Sequence, residues 1–229
     1  MAIALAIAAI RVAIIFYQRY TEKSATAERP PEQPLNPDYY VVPHKLYAYD
    51  LRSAQKLVGR PVWVRAGYRS AYFPCEPARL HCDFRQEAGL LGPIQRLEVK
   101  DVIRLSSPLA PGQPQIMVVF EKEGKSYAFS VGAMTGENYT LFIDDMLYLQ
   151  DPHQLYRHWP AEVWQAVDQH QIHKGMNELQ VTFSLGTGYL HGGGQGSTRV
   201  LTFPNGGKPL VVTLEQDKVV DVEPAPPGS

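Results

Sequence analysis

The chain has 229 residues, a formal net charge of −1 and a hydrophobic content of 45%, so it is long and apolar enough to bury a core. Its 22 Lys and Arg residues are scattered among 23 Asp and Glu residues, and this pattern excludes the basic patch that nucleic-acid binding requires. We therefore expect a globular protein without a nucleic-acid partner.

The first segment, residues 1–23, is predicted to be a membrane anchor helix. An apolar run extends over residues 2–17 and is interrupted only by Arg11, which is close to the ~20 residues that cross a bilayer. The alternatives are a buried soluble helix and a cleaved signal peptide, for which residues 25–27 have the small-x-small form. Because an intramembrane charge usually has a protein partner, Arg11 is a candidate contact with another membrane protein.

The side of the membrane on which the body lies is left open by the sequence. An envelope function favours the periplasm, whereas Arg19 and Lys23 on the C-terminal flank favour the cytoplasmic face by the positive-inside rule. Residues 24–43 contain five prolines and few aliphatic side chains, so they are predicted to be an extended linker.

Residues 44–152 are predicted to form a small β-domain. The strand-like blocks are residues 61–68, 97–105, 116–122, 126–132 and 139–149. Turn signals at regular spacing between them predict a small barrel or roll. The entry LVGRPVWV, residues 57–64, loosely resembles the start of a bacterial SH3-like module, and this resemblance implies a fold and no activity.

The stretch GYRSAYFP within this domain is a candidate partner-binding loop. It places Tyr68, Tyr72 and Phe73 beside the predicted barrel, where SH3-like modules often bind peptides. Packing of these rings in the core is the other interpretation, and the sequence favours it.

The two cysteines, Cys75 and Cys82, are separated by six residues. This spacing fits neither a CxxC redox motif nor a paired zinc knuckle. A short-loop disulfide and two free thiols both remain open. The acidic pair Asp144 and Asp145 is predicted to lie in a strand, with the two side chains on opposite faces, where it serves solubility rather than acid–base chemistry.

Residues 153–223 are predicted to form an α+β domain, followed by a free tail over residues 224–229. Pro160 opens a first helix, and Asn177 and Gln180 form the capping box of a second helix. Gly186 is predicted to end that helix in the left-handed conformation. Three antiparallel strands then complete a meander, at residues 199–203, 210–214 and 218–222.

A family resemblance appears in this second domain. The run IHKGMNELQ, the Leu185-Gly186 pair and the terminal LVVTLEQDKVVDV resemble the BamE-type (SmpA/OmlA) small outer-membrane assembly lipoproteins over residues 160–223. The β-lactamase-inhibitor proteins look similar at this level. The resemblance implies a small binding or scaffolding module without catalytic residues, although this chain lacks the lipidated N-terminal cysteine of the lipoproteins.

The glycine-dense stretch HGGGQGST follows the second predicted helix. It lacks the lysine of a phosphate-binding loop, and no GxSxG elbow follows its HGGG element, so the sequence favours neither nucleotide binding nor hydrolysis. His191 and Gly193 are therefore candidate partner-binding residues in a crossover loop. The nearby histidines have no metal-ligand spacing.

Together these patterns predict an α+β protein of the bacterial envelope, membrane-anchored and non-catalytic, that serves as an accessory or scaffold module in a membrane-associated assembly. The expected partners are other membrane or envelope proteins and the lipid bilayer, the latter through the N-terminal helix. No catalytic residue, metal, cofactor or small-molecule substrate is expected. The alternatives are a single-helix accessory subunit of an integral membrane complex and an enzyme of unrecognised chemistry.

Overall fold

The computed structural model describes residues 10–19, 36–108, 110–190 and 197–226. The chain divides into two compact units, Met1–Tyr40 and Val41–Ser229. In the first unit, helix α1 covers residues 10–19 with every side chain exposed, and a 3-10 turn covers Pro37–Tyr40. In the parts of the chain that the structure describes, no helix is both long and apolar enough to cross a membrane.

The second unit contains a nine-stranded antiparallel sheet. Its strands are β1 (Pro61–Val64), β2 (Ala71–Glu76), β3 (His81–Cys82), β4 (Gly89–Leu90), β5 (Arg96–Leu105), β6 (Gln115–Lys122), β7 (Lys125–Thr135), β8 (Asn138–Leu141) and β9 (Leu147–Tyr148). The order across the sheet is β3-β2-β7-β6-β5-β1-β9, with β4 paired to β2 and β8 paired to β7.

The central strand β6 is buried on both faces, which explains its nearly continuous apolar sequence. One face contributes Ile116, Val118 and Phe120 to a cluster that we call the sheet core. The other face contributes Met117 and Val119 to a smaller cluster. The remaining buried members of this smaller cluster are Cys75, Cys82, Ile103, Leu105 and Ala128.

Short helices and a second sheet complete the second unit. The helices are α2 (Leu51–Ala54), α3 (Ile143–Met146), α4 (Pro152–Leu155), α5 (Ala161–Asp168) and α6 (Glu178–Leu185), and the strands are β10 (Tyr189–Leu190), β11 (Thr198–Phe203), β12 (Leu210–Glu215) and β13 (Lys218–Pro224). The four strands are antiparallel in the order β10-β11-β12-β13. Their inner face packs on α5 and α6 in a cluster that we call the helix core, which includes Trp164, Val181, Phe183, Leu201 and Leu214.

The ends of α6 follow from its sequence. The Asn177 side chain accepts from the Gln180 amide at 2.9 Å, and the Gln180 side chain accepts from the Asn177 amide at 2.9 Å, so the predicted capping box is present. Gly186 ends the helix at φ 89° and ψ −174°. This conformation is extended and essentially restricted to glycine, so the predicted left-handed helical cap is wrong.

The predicted fold class as a whole is wrong. It combined an N-terminal membrane helix, a small SH3-like barrel or roll, and two helices followed by a three-stranded meander, whereas the described residues form a nine-stranded sheet, a four-stranded sheet and a few short helices. No membrane-spanning helix is found among the described residues, and the predicted anchor lies outside them at residues 1–9 and 20–23.

Physical reasons explain why the sequence pattern does not predict some of these strands. Strands β3, β4, β9 and β10 have two residues each, which is too short for any alternation to show in the sequence. Strand β2 contains Pro74 in what was predicted to be a loop. The single strand predicted over residues 139–149 is divided into β8, α3 and β9.

Three predicted boundaries stay predictions. The boundary between the two body domains, at residues 152 and 153, is one of them. The predicted linker, residues 24–43, lies outside the described residues up to residue 35, and the predicted tail, residues 224–229, does so from residue 227.

Candidate functional site

Residues 41–50, VVPHKLYAYD, form an irregular extended segment on the surface of the second unit, which we call the strap. Its half-buried side chains face inward. Val41 packs against the helix core, and Leu46 and Ala48 pack against the sheet core. The strap therefore contacts both cores.

Three of the exposed side chains of the strap are large and mainly apolar. Val42 is 80% exposed, Tyr47 74% and Tyr49 76%. The ammonium group of Lys45 lies 6.0 Å from the centroid of the Tyr47 ring. Tyrosine supplies a large contact area with a polar tip and is enriched at protein interfaces. An exposed pair of such rings on a fixed segment has the character of a docking surface.

The backbone of the strap is held by side chains rather than by strand pairing. The Asp144 carboxylate, on α3, accepts from the Leu46 amide at 2.6 Å and from the Tyr47 amide at 2.9 Å. The His44 amide donates to the side-chain carbonyl of Gln150 at 3.1 Å. One carboxylate thus satisfies two consecutive backbone donors directly at the tyrosine pair.

The C-terminal end of the strap is fixed by the cap of α2. The amides of Tyr49 and Asp50 donate to the Ser53 hydroxyl at 2.9 and 3.0 Å, and the Asp50 carboxylate accepts from the Ser53 amide at 2.7 Å. The side-chain hydrogen bond with Ser53 lowers the pKa of the Asp50 carboxyl, and the backbone hydrogen bond acts in the same direction.

Tyr47 also has an unusual backbone conformation. Its φ of 51° lies in the left-handed region, which is costly for a residue with a bulky side chain. Such conformations persist only where the surroundings fix them, and they concentrate at functional positions. Here the two hydrogen bonds to Asp144 fix the backbone, and the Tyr47 ring is directed to the solvent.

Two aromatic residues of the predicted partner-binding loop, Tyr72 and Phe73, lie on strand β2 rather than in a loop. Tyr72 is 6% exposed and makes edge contacts with Phe120 and Tyr127, at centroid distances of 5.5 and 5.2 Å. Its hydroxyl accepts from Lys122 at 3.2 Å. Phe73, its neighbour on β2, packs on another aromatic ring at 5.3 Å. Both rings therefore have packing partners within the body.

Tyr68 connects the large sheet to the turn after α6. Its amide donates to the Leu91 carbonyl at 2.7 Å, and its own φ is 58°. A Cβ atom on Gly186 would lie 2.6 Å from the Tyr68 ring, so the ring sits directly against that turn. Burial raises the pKa of the Tyr68 phenol. The three predicted aromatic residues thus form no common exposed surface.

The other predicted site residues lie on separate elements or outside the described residues. His191 and Gly193 lie outside the described residues, and Arg11 is an exposed residue of α1. Cys75 and Cys82 face each other across β2 and β3 and are joined by a disulfide. Asp145 lies beside Asp144 on a helix rather than in the predicted strand.

The ring of His153 lies between two carboxylates. Its ring nitrogens lie 3.1 Å from Asp151 and 3.1 Å from Asp168, and its ring stacks on Trp164 at 4.0 Å. Both nitrogens are therefore held by carboxylates of the same unit. Among the described residues, no group of three or more His, Cys, Asp or Glu side chains is arranged to hold a metal ion.

The sequence prediction does not include the strap tyrosines, because they lie between the end of the predicted linker at residue 43 and the first predicted strand at residue 61. The signal is present in the sequence, since Leu46 and Ala48 alternate with Tyr47 and Tyr49. Alternation over four residues predicts one inward and one outward face.

Comparison with known proteins found no relative of the chain: no protein-family model matches it, and no curated protein or solved structure matches it.

Proposed function

We propose that the chain is a non-catalytic binding protein that works as an accessory or scaffold module in a membrane-associated assembly of the bacterial envelope, with the strap as its docking surface for another envelope protein. The observation that carries this proposal is the pair Tyr47 and Tyr49, both about three-quarters exposed on a backbone that Asp144 and Ser53 hold in place.

The fixed backbone favours a docking role for the two rings. Association requires the ordering of flexible groups, and this cost falls when the contact residues are already positioned. The strap meets this condition, because the amides of Leu46, Tyr47 and Tyr49 all have side-chain acceptors. Exposed aromatic rings on a fixed backbone are typical of the few residues that dominate an interface.

The disulfide supports an oxidising compartment. Cys75 and Cys82 are 7% and 5% exposed and bonded to each other. Disulfides persist in secreted and periplasmic proteins and are rare in the cytosol. We therefore propose that the body lies in the periplasm. Thiol labelling of intact cells checks this placement: labelling only after reduction supports it, and free thiols that react only after lysis contradict it.

The experiment that tests the docking role is site-specific photocrosslinking in intact cells. A photoreactive amino acid replaces Tyr47 or Tyr49 in the full chain, and the control position is Tyr189 on β10, which is 52% exposed. We expect one discrete adduct with an envelope protein from the strap positions and no such adduct from Tyr189. Equal adducts from all three positions, or none from the strap, would contradict the proposal.

A double variant, Tyr47→Ala with Tyr49→Ala, tests the same surface in a purified assembly. If both rings are central contacts, each truncation costs about 2 kcal/mol or more of binding free energy, so the partner should no longer co-elute. The melting temperature of the isolated chain should hardly change, because neither ring is buried. If the variant keeps its partner but loses binding to lipid vesicles, the strap is a lipid contact and the proposal of a protein partner is wrong.

A further inference from the structure

A cavity of about 510 Å³ lies between the start of α5, the loop before α6 and the start of β13. Its polar lining includes Lys174, Lys218, His173 and Gln180, and Val163 and Met176 contribute apolar surface. The volume falls in the range of ~300–1,000 Å³ that is typical of small-molecule sites. None of these residues belongs to the strap.

The two lysines are brought together by backbone hydrogen bonds. The Gly175 amide donates to the Val219 carbonyl at 2.8 Å, and the Val219 amide donates to the Met176 carbonyl at 2.9 Å. Lys174 and Lys218 directly precede these bonded residues, so both side chains start from fixed positions at the cavity. Gly175 has a φ of 90°, which is accessible to glycine at little cost.

The lining of the cavity carries an excess of positive charge, with two lysines against one carboxylate. Within the part of the chain that the structure describes, neither Lys174 nor Lys218 forms an ion pair. The carboxylates nearest in sequence have other partners, since Asp217 accepts from the Glu178 amide and Glu178 pairs with Arg199. The single carboxylate in the lining is that of Glu162.

Gln180 adds a buried donor. The residue is 7% exposed, and its side-chain carbonyl accepts from the Asn177 amide in the capping box. Its Nε2 group donates to no protein acceptor among the described residues. Since no side-chain nitrogen in these residues is both fully buried and without a partner, the Nε2 group reaches solvent. Because Gln180 lines the cavity, this amide is available to a ligand.

We propose that this cavity binds a small organic oxyanion, meaning a carboxylate or a phosphate monoester attached to an apolar body. The two ammonium groups and the Gln180 amide provide donors for the oxyanion, and charge-assisted hydrogen bonds are the stronger class. Val163 and Met176 provide the surface for the apolar part. This site is distinct from the strap, so it can be tested without reference to the proposed docking role.

The test uses benzoate and phenyl phosphate as probes, with benzamide as the neutral control, titrated into the isotope-labelled full chain and followed by amide NMR shifts. We expect saturable shifts at residues around Gly175 with either anion, at a dissociation constant below about 10 mM, and none with benzamide. Added salt should weaken the binding by screening. Absence of saturable shifts with both anions, or equal binding of benzamide, would overturn the proposal.

Two variants separate the site from general charge effects. Lys174→Met with Lys218→Met should weaken binding by at least about tenfold, whereas Lys208→Met, an exposed lysine near β12, should not. Gln180→Glu keeps the acceptor that the capping box needs and places a negative charge in the cavity. It should therefore abolish anion binding at an unchanged melting temperature, and anion binding that survives in this folded variant contradicts the site.

Discussion

Replacement of Asp144 by alanine should release the strap. The variant removes one carboxylate that accepts two backbone amides, those of Leu46 at 2.6 Å and Tyr47 at 2.9 Å. A hydrogen bond to a charged group contributes about 1.5–3 kcal/mol. The bond to Leu46 is partly buried and counts nearly in full, whereas the bond to Tyr47 is exposed and is discounted for solvent. The loss is then about 2–3 kcal/mol.

Hydrogen exchange measures this loss directly. A destabilisation of this size raises the population of strap-open forms by roughly 30- to 150-fold, so the Leu46 and Tyr47 amides should exchange faster by that factor. The Tyr49 amide should change less, because its acceptor is the hydroxyl of Ser53. Chymotryptic cleavage after Tyr47 should accelerate in parallel.

The neighbouring residue provides the matched control. Asp145 lies on the same helix and carries the same charge but, within the described residues, forms no hydrogen bond or ion pair with the strap, so Asp145→Ala changes the net charge equally. If Asp145→Ala accelerates exchange at Leu46 and Tyr47 as much as Asp144→Ala does, the effect is one of charge or of α3 stability. If neither variant does, the carboxylate does not hold the strap.

Three further changes have calculable effects on the free energy of unfolding. Reduction of the Cys75–Cys82 disulfide, which closes a loop with a sequence separation of 7, should cost about 2.5 kcal/mol in urea unfolding, and reductant should have no effect on the double alanine variant. Gly186→Ala should lower the free energy of unfolding by about 1–3 kcal/mol or more, because φ is 89° and the new Cβ atom would lie 2.6 Å from the ring of Tyr68. Gly59→Ala is the control and should cost less, because φ is 75° but no atom lies within 4 Å of the new Cβ. Asn177→Ala should cost about 1 kcal/mol through the loss of the α6 cap, while Asn177→Asp should retain most of it.

The long strands could be predicted because they carry their own pattern. The blocks predicted at residues 97–105 and 116–122 correspond to β5 and β6. Each of these strands begins one residue earlier than predicted. Strand β6 is buried on both faces, so its apolar residues form a continuous run. A run of this length identifies a strand even when the neighbouring strands are unknown. The α6 capping box was equally visible, because both of its partners lie within four residues of each other.

The short strands could not be predicted, because their stability comes from their neighbours. Strand β3 has two residues, and its place depends on pairing with β2 across the disulfide. Strand β9 has two residues that pair with β1, more than eighty positions earlier in the chain. Such pairs have no period of their own, so only the folded sheet specifies them.

The candidate site shows the same limit. The sequence concentrates aromatic residues at positions 68–73 and again at 47–49, and composition alone favours the first group. The pairing of β2 with β7 turns Tyr72 onto the sheet core, whereas Asp144, almost a hundred positions later, fixes Tyr47 and leaves its ring exposed. Which aromatic residues can meet a partner is therefore decided by long-range contacts.

Amide hydrogen exchange and partner affinity, measured on the same Asp144→Ala variant, together give the free energy by which the closed form of the strap is favoured over the open form. A partner that binds only the closed strap has its affinity reduced by the closed fraction. If the closed form of the wild type is favoured by much more than about 3 kcal/mol, the variant stays mostly closed, so exchange accelerates while affinity hardly changes. If the closed form is favoured by less, exchange accelerates and partner affinity falls in the same variant. Because Val41 contacts the helix core and Leu46 the sheet core, a bound partner would also hold the strap against both cores and raise the melting temperature of the second unit.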